Sequence, residues 1–150
     1  AEIIELAINL KLASDLIERM LRKVQQQKTS QRRSFSASGL EELVDLQTQL
    51  IENLRLGLTV FLNSDPQSAR QLLREKRRFR AQERRLAHAH VSRLQRKITQ
   101  SIETSSVHLE LIADMQRLNS LFCGSAYVVL ENTDTGALEA DDNTDTLQSS

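Results

Sequence analysis

Along almost all of this 150-residue chain apolar side chains recur three or four positions apart, and only one proline and four glycines interrupt the backbone. That spacing keeps side chains on one face of an α-helix, whereas a half-buried strand needs strict alternation. Long stretches of this period leave an all-α bundle as the architecture that can bury them. With 3% aromatic residues and abundant Leu, Ala, Glu, Gln, Arg and Ser, sandwiches and barrels are disfavoured. The length suits one soluble domain, and such a chain buries roughly 68–70% of its unfolded surface without the help of disulfides or metals. A single cysteine, Cys123, excludes an internal disulfide and fits a reducing compartment.

The period predicts four long helices. The first runs from about residue 2 to 27 on Ile3, Ile4, Ala7, Ile8, Leu10, Ala13, Leu16, Ile17, Met20, Leu21 and Val24. A linker follows over 28–37. Ser38 and Glu41 form a capping-box pair, which starts helix two at Gly39. Its apolar face is Leu40, Leu43, Val44, Gln47, Leu50, Ile51, Leu54, Leu58 and Phe61. It ends at Asn63-Ser64-Asp65-Pro66, where Asp65 caps helix three and Pro66 takes the first helical position. Helix three extends to about Gln100, with a break expected over Ser101–Ser106. Helix four then runs through Val107, Leu111, Met115, Leu118 and Phe122 to Glu131. The acidic, apolar-poor stretch 132–150 is expected to be a disordered tail.

The longest apolar stretch, Leu58 to Leu62 around Thr59, falls far short of the roughly 20 residues that span a bilayer. The start lacks the basic and apolar segments of a signal peptide. Ala1-Glu2-Ile3-Ile4 opens inside an amphipathic helix, as a piece cut from a longer chain would.

Formal charge sums to zero but is segregated. Residues 70–97 carry eleven basic groups against two acidic ones, a local net of +9, while residues 38–65 carry a net of −4. Arg74, Lys76, Arg77, Arg78, Arg80, Arg84 and Arg85 outnumber the acids helix two can offer, so part of this charge is expected to face outward and meet a partner. Three readings fit a basic run on a long helix: a nucleic-acid footprint, an anionic membrane contact, or a solvated face. Phe79 alone among aromatics interleaves with the run, which disfavours base stacking.

Phosphate-cradling glycine loops, CxxC, HExxH and GxSxG are absent, so no enzyme is expected. His88 and His90 point about 200° apart on a helix and cannot ligate one ion together; both are expected at the surface or its boundary. His108 is expected in a core or cap role. Glu41/Asp45 and Glu110/Asp114 each set two carboxylates four apart, a spacing that could hold a cation or simply favour a helix start.

Leu-Asn-Ser-Asp-Pro at 62–66 followed by Ala69 to Phe79 resembles the fifth-helix region of PhoU proteins. His108 to Ser120 resembles their last helix. Ser101 to Glu110 and Arg117-Leu118-Asn119-Ser120 more narrowly resemble the PhoU-like cytoplasmic domain of bacterial sodium/phosphate cotransporter family proteins. Residues 3 to 130 carry the likeness, which implies one three-helix repeat preceded by the last helix of another, with Asp15 and Asp114 at matching places. In PhoU the last helix of each repeat carries Glu-x-x-x-Asp for metal. Here those places hold Ile17, Leu21, Gln116 and Ser120, so the resemblance implies neither metal nor other cofactor. A shift by one would put Glu18 opposite Arg22.

The function implied is a non-enzymatic regulatory domain, residues 1–131, of a sodium-dependent phosphate transporter at the cytoplasmic face of the inner membrane. The expected partners are the transporter's own membrane part or another protein, an anionic membrane surface, and a second copy in a homodimer. The alternatives are a freestanding PhoU-like regulator of phosphate uptake and a basic helical nucleic-acid-binding protein, although no nucleic acid is expected.

Overall fold

A computed structural model describes residues 2–29, 35–96 and 105–145, with side chains described for 3–26, 35–96 and 106–134. All the described elements are helices: α1 (Glu2–Thr29), α2 (Ala37–Asn63), α3 (Pro66–Gln95), α4 (Ser105–Phe122) and α5 (Gly124–Asp145). The result is an all-α bundle in which α1 and α3 run one way and α2 and α4 the other, as the pairings Lys23–Glu110, Arg93–Glu42 and Asn53–Asn119 require. α2, α3 and α4 pack on one another, while α1 lies against α4.

Helix ends follow local chemistry. Asp65 accepts from the Gln67 and Ser68 amides at 3.3 and 3.0 Å, with Pro66 in the first turn where no N–H is needed. Ser64 closes α2 in the left-handed region at φ 50° and donates its amide to Val60 O. The start of α2 differs from the Ser38–Glu41 capping box. Ser36 is the cap, its Oγ accepting from Gly39 N at 3.1 Å. Phe35, just before it, packs on the core and edge-on against His108, and this anchor draws the helix start two residues earlier. Of the break expected over Ser101–Ser106, residues 101–104 lie outside the described residues, and α4 has begun at Ser105.

The helix expected to run unbroken to Glu131 is interrupted at Cys123 and then continues to Asp145. The break has a packing cause. Gly57 on α2 sits so close to the Phe122 carbonyl oxygen that a Cβ there would overlap it. Ser125 Oγ donates to Gly57 O at 3.1 Å, and Ala126 N–H turns to Cys123 O at 3.2 Å. Gly-Ser beside a lost ladder bond is a familiar site for a kink. α5 carries helix through Asp145, into the stretch 132–150; residues 146–150 lie outside the described ones.

Two apolar clusters fill the bundle. Leu43, Leu46, Leu50, Phe79, Leu111, Ile112, Met115 and Leu118 form the larger, with Ala13 from α1. Val60, Ala69, Leu72, Cys123, Ala126 and Val129 form the second, around the break. α2 buries Gly39, Leu43, Leu46, Leu50, Asn53, Gly57 and Val60, a face turned by about one residue from the expected stripe, and leaves Leu40, Val44, Ile51 and Leu58 exposed. Two glycines on the buried line let the neighbouring helices approach closely enough to outweigh the larger side chains beside them.

Candidate functional site

The outward side of α3 is the most strongly charged surface among the described residues. Arg70, Arg74, Arg77, Arg78, Arg80, Arg84 and Arg85 are exposed, while Ala69, Leu72, Phe79 and His90 of the same helix are buried. At 1.5 Å per residue, Arg70 to Arg85 spans about 22 Å. Arg78 pairs with Glu75 at 3.0 Å; the other six form no ion pair with a described residue. Lys76, expected among the outward groups, turns aside instead: its Nζ donates to Tyr127 Oη at 3.0 Å and sits 4.9 Å from the centre of that ring. Arg93, which is not in that expected set, turns inward: Glu42 of α2 takes its guanidinium in a two-pronged pair at 2.7 and 2.8 Å. The remaining acids of α2 do not pair with α3. Glu52 pairs with Arg55, and Asp65 is used in its cap.

Next to that Glu42–Arg93 pair lies a buried histidine pair. His90 and His108 are each 1% exposed and stack with ring centres 4.3 Å apart and planes 9° from parallel. His88 is exposed as expected, but His90 is not at the surface: the helix turn that sends His88 outward aims His90 at α4. Burial, then the neighbouring His90 ring, pushes His108 down to about 4. Burial and Arg93 lower His90 as well. Both rings are therefore neutral at pH 7. His108 Nε2 stands 3.7 Å from Glu42 Oε2, and the Nε2 atoms of both rings lack a hydrogen-bond partner in the structure.

The Glu110/Asp114 pair does hold a cation, and that cation is an ammonium. Lys23 of α1 reaches Glu110 at 2.8 Å and Asp114 at 3.0 Å. Arg19 and Arg117 add bonds to Asp114 Oδ1 at 2.8 and 2.9 Å. Burial alone would raise the Asp114 carboxyl, but hydrogen bonds from Lys23 and Arg19, with their charges, hold it below the usual carboxylate range. Asp15 is exposed and pairs with Lys11 at 2.8 Å. Glu41 and Asp45 are both exposed. Ile17 and Leu21 lie exposed on α1, and Gln116 Nε2 donates to Ser120 Oγ at 3.3 Å. Among the described residues no three His, Cys, Asp or Glu side chains come together as a metal site would require, and no helix is long and apolar enough to cross a membrane.

A cavity of about 220 Å³ opens between the start of α1, the end of α2 and the α4–α5 break, walled by Leu10, Leu54, Phe61, Phe122 and Val128 with Asn9 at its rim. Sequence reasoning missed it, because it exists only where the Cys123 break leaves space beside Gly57. The buried amide pair, Asn53 Nδ2 donating to Asn119 Oδ1 at 2.7 Å, was also hidden, because neither residue lies on an apolar stripe read from the sequence.

No family model matches the chain, and no solved structure matches it. Curated relatives do. Proteins carrying the name "Putative inorganic phosphate export protein YjbB" are 54% identical in Escherichia coli strain K12 and in Shigella flexneri, and 55% identical in Salmonella typhimurium strain LT2, each over 134 residues. The match covers 89% of this chain and 25% of each relative. The chain thus spans about a quarter of the length of the proteins, named for inorganic phosphate export, to which it is similar.

Proposed function

We propose that this chain is a non-enzymatic interaction domain, PhoU-like in architecture, that regulates a sodium-coupled phosphate-transporting protein from the cytoplasmic face of its membrane. The observation that carries the reading is the 54% identity over 89% of the chain to a quarter of proteins named for phosphate export. Two features of the surface support it. The described residues present an outward arginine face where an enzyme would present a cleft of reactive groups, and the one buried carboxylate cluster is already filled by basic side chains. Arginines without acidic neighbours suit an anionic surface. Each basic group near acidic lipid headgroups contributes about 1 kcal/mol, so six together give salt-sensitive docking.

The test is phosphate efflux from cells expressing the full-length Escherichia coli relative, intact or lacking the matched segment. The domain reading expects a changed efflux rate at equal protein abundance. Identical efflux from both would overturn it.

A further inference from the structure

α1 uses only part of its apolar surface. Ala13, with Leu16, Met20 and Val24 beside it, turns toward α4. A second line, Ile3, Ala7, Leu10, Ser14, Ile17 and Leu21, lies exposed, with Ile3 76% and Leu21 64% accessible. Its steps are of four and three, so Ala7, Ser14 and Leu21 occupy one core position of a heptad and Ile3, Leu10 and Ile17 the other. That is the spacing of a helix–helix seam. From Ile3 to Ile17 large and small residues alternate along it.

We infer that this face of α1 docks on the same face of a second copy of this chain, the two helices running antiparallel about a twofold axis between residues 15 and 16. In that register Leu10 meets Leu21 of the second copy and Ser14 meets Ile17. The small Ser14 therefore stands opposite a larger side chain, as knobs-into-holes packing requires. The flank of the seam agrees. Lys11 comes opposite Glu18 of the second copy, and Glu18 opposite Lys11, so the twofold axis makes two ion pairs. Within one chain these groups pair outward, Lys11 with Asp15 at 2.8 Å and Glu18 with Arg22 at 2.6 Å, all exposed and free to exchange partners. A parallel pair would set Lys11 and Glu18 against the line of Ala13 and Met20, which α4 already covers. A self-complementary face of this kind closes as a dimer and goes no further. One helix from each chain is a small contact, so the dimer is expected to be concentration-dependent.

Sedimentation equilibrium of the intact 150-residue chain, from micromolar to hundreds of micromolar, tests this. A monomer–dimer equilibrium is expected, and a variant carrying Leu10→Glu with Ile17→Glu should remain monomeric with unchanged helicity. Lys11→Glu and Glu18→Lys should each weaken the dimer by about tenfold, and the two together should restore it. Because the glutamate variant could fail to fold, a cross-link provides an independent readout. Under mild oxidation, a Ser14→Cys chain mixed with an Ile17→Cys chain should join faster than either with itself; Cys123 is buried and stays silent. A monomer at every concentration, a dimer indifferent to both Leu10 and Ile17, or a double charge reversal that fails to recover would each overturn the proposal. A monomer would leave this face to some other helix.

Discussion

Asp114 concentrates the electrostatics of the fold at one carboxylate, which is 1% exposed and held by Arg19, Lys23 and Arg117. Replacing it with asparagine leaves Lys23, itself largely covered, with the exposed Glu110 as its one carboxylate in this cluster. Breaking one side of a buried ion pair costs about 3–5 kcal/mol, and the partial exposure of both arginines puts the expected loss at the lower end, about 3 kcal/mol. Urea unfolding at pH 7 checks it; a loss near zero would mean that the cluster is solvated. The histidines make a prediction in pH. His90 and His108 stay neutral in the fold below the point where an unfolded histidine, near 6.5, takes up a proton. Between about 6.5 and about 4 the unfolded chain therefore binds more protons, and stability should fall as the pH drops through that window. His108→Gln should flatten this slope, read from urea midpoints at pH 7 and pH 5. A slope unchanged by the substitution would place the titration elsewhere.

Among the elements, the contact between α2 and α4 sets the shape of the second half of the bundle. Gly57→Ala would drive a methyl group into the backbone carbonyl oxygen of Phe122, where no side-chain rotation relieves it. A loss of about 2 kcal/mol is expected from overpacking of this kind, with the melting temperature as the measurement; Asp65→Ala, which removes only a cap, should cost about 1 kcal/mol. These two sites also mark what was legible in the sequence. Asp65-Pro66 could be read directly, because a cap and a first-turn proline act within four residues. The break at Cys123 could not. Gly57 and Gly124 are unremarkable where they stand, and the kink follows from a meeting of residues 65 apart in the chain. The buried face of α2 was hidden for a similar reason: two apolar lines sit one residue apart, and which of them turns inward depends on the glycines that admit the neighbours. His90 went inward where only its disagreement with His88 was readable.

At the scale of the molecule, charge and apolar surface lie on different helices. α3 shows arginines outward, and α1 shows a heptad seam. That the basic charge would exceed the fold's capacity to neutralise it followed from counting acids on α2. Which basic groups find partners inside the fold did not, since Lys76 goes to Tyr127 and Arg93 to Glu42 through contacts made only in three dimensions. The central claim is that the arginine face of α3 docks on an anionic surface, and co-sedimentation of the intact chain with acidic lipid vesicles at low salt tests it most directly. The chain should pellet with anionic vesicles, stay in solution with neutral ones, and lose most of its binding when Arg77→Glu and Arg84→Glu are introduced together or when salt is raised. Equal binding by the intact chain and this double variant, or no binding by either, would contradict the account.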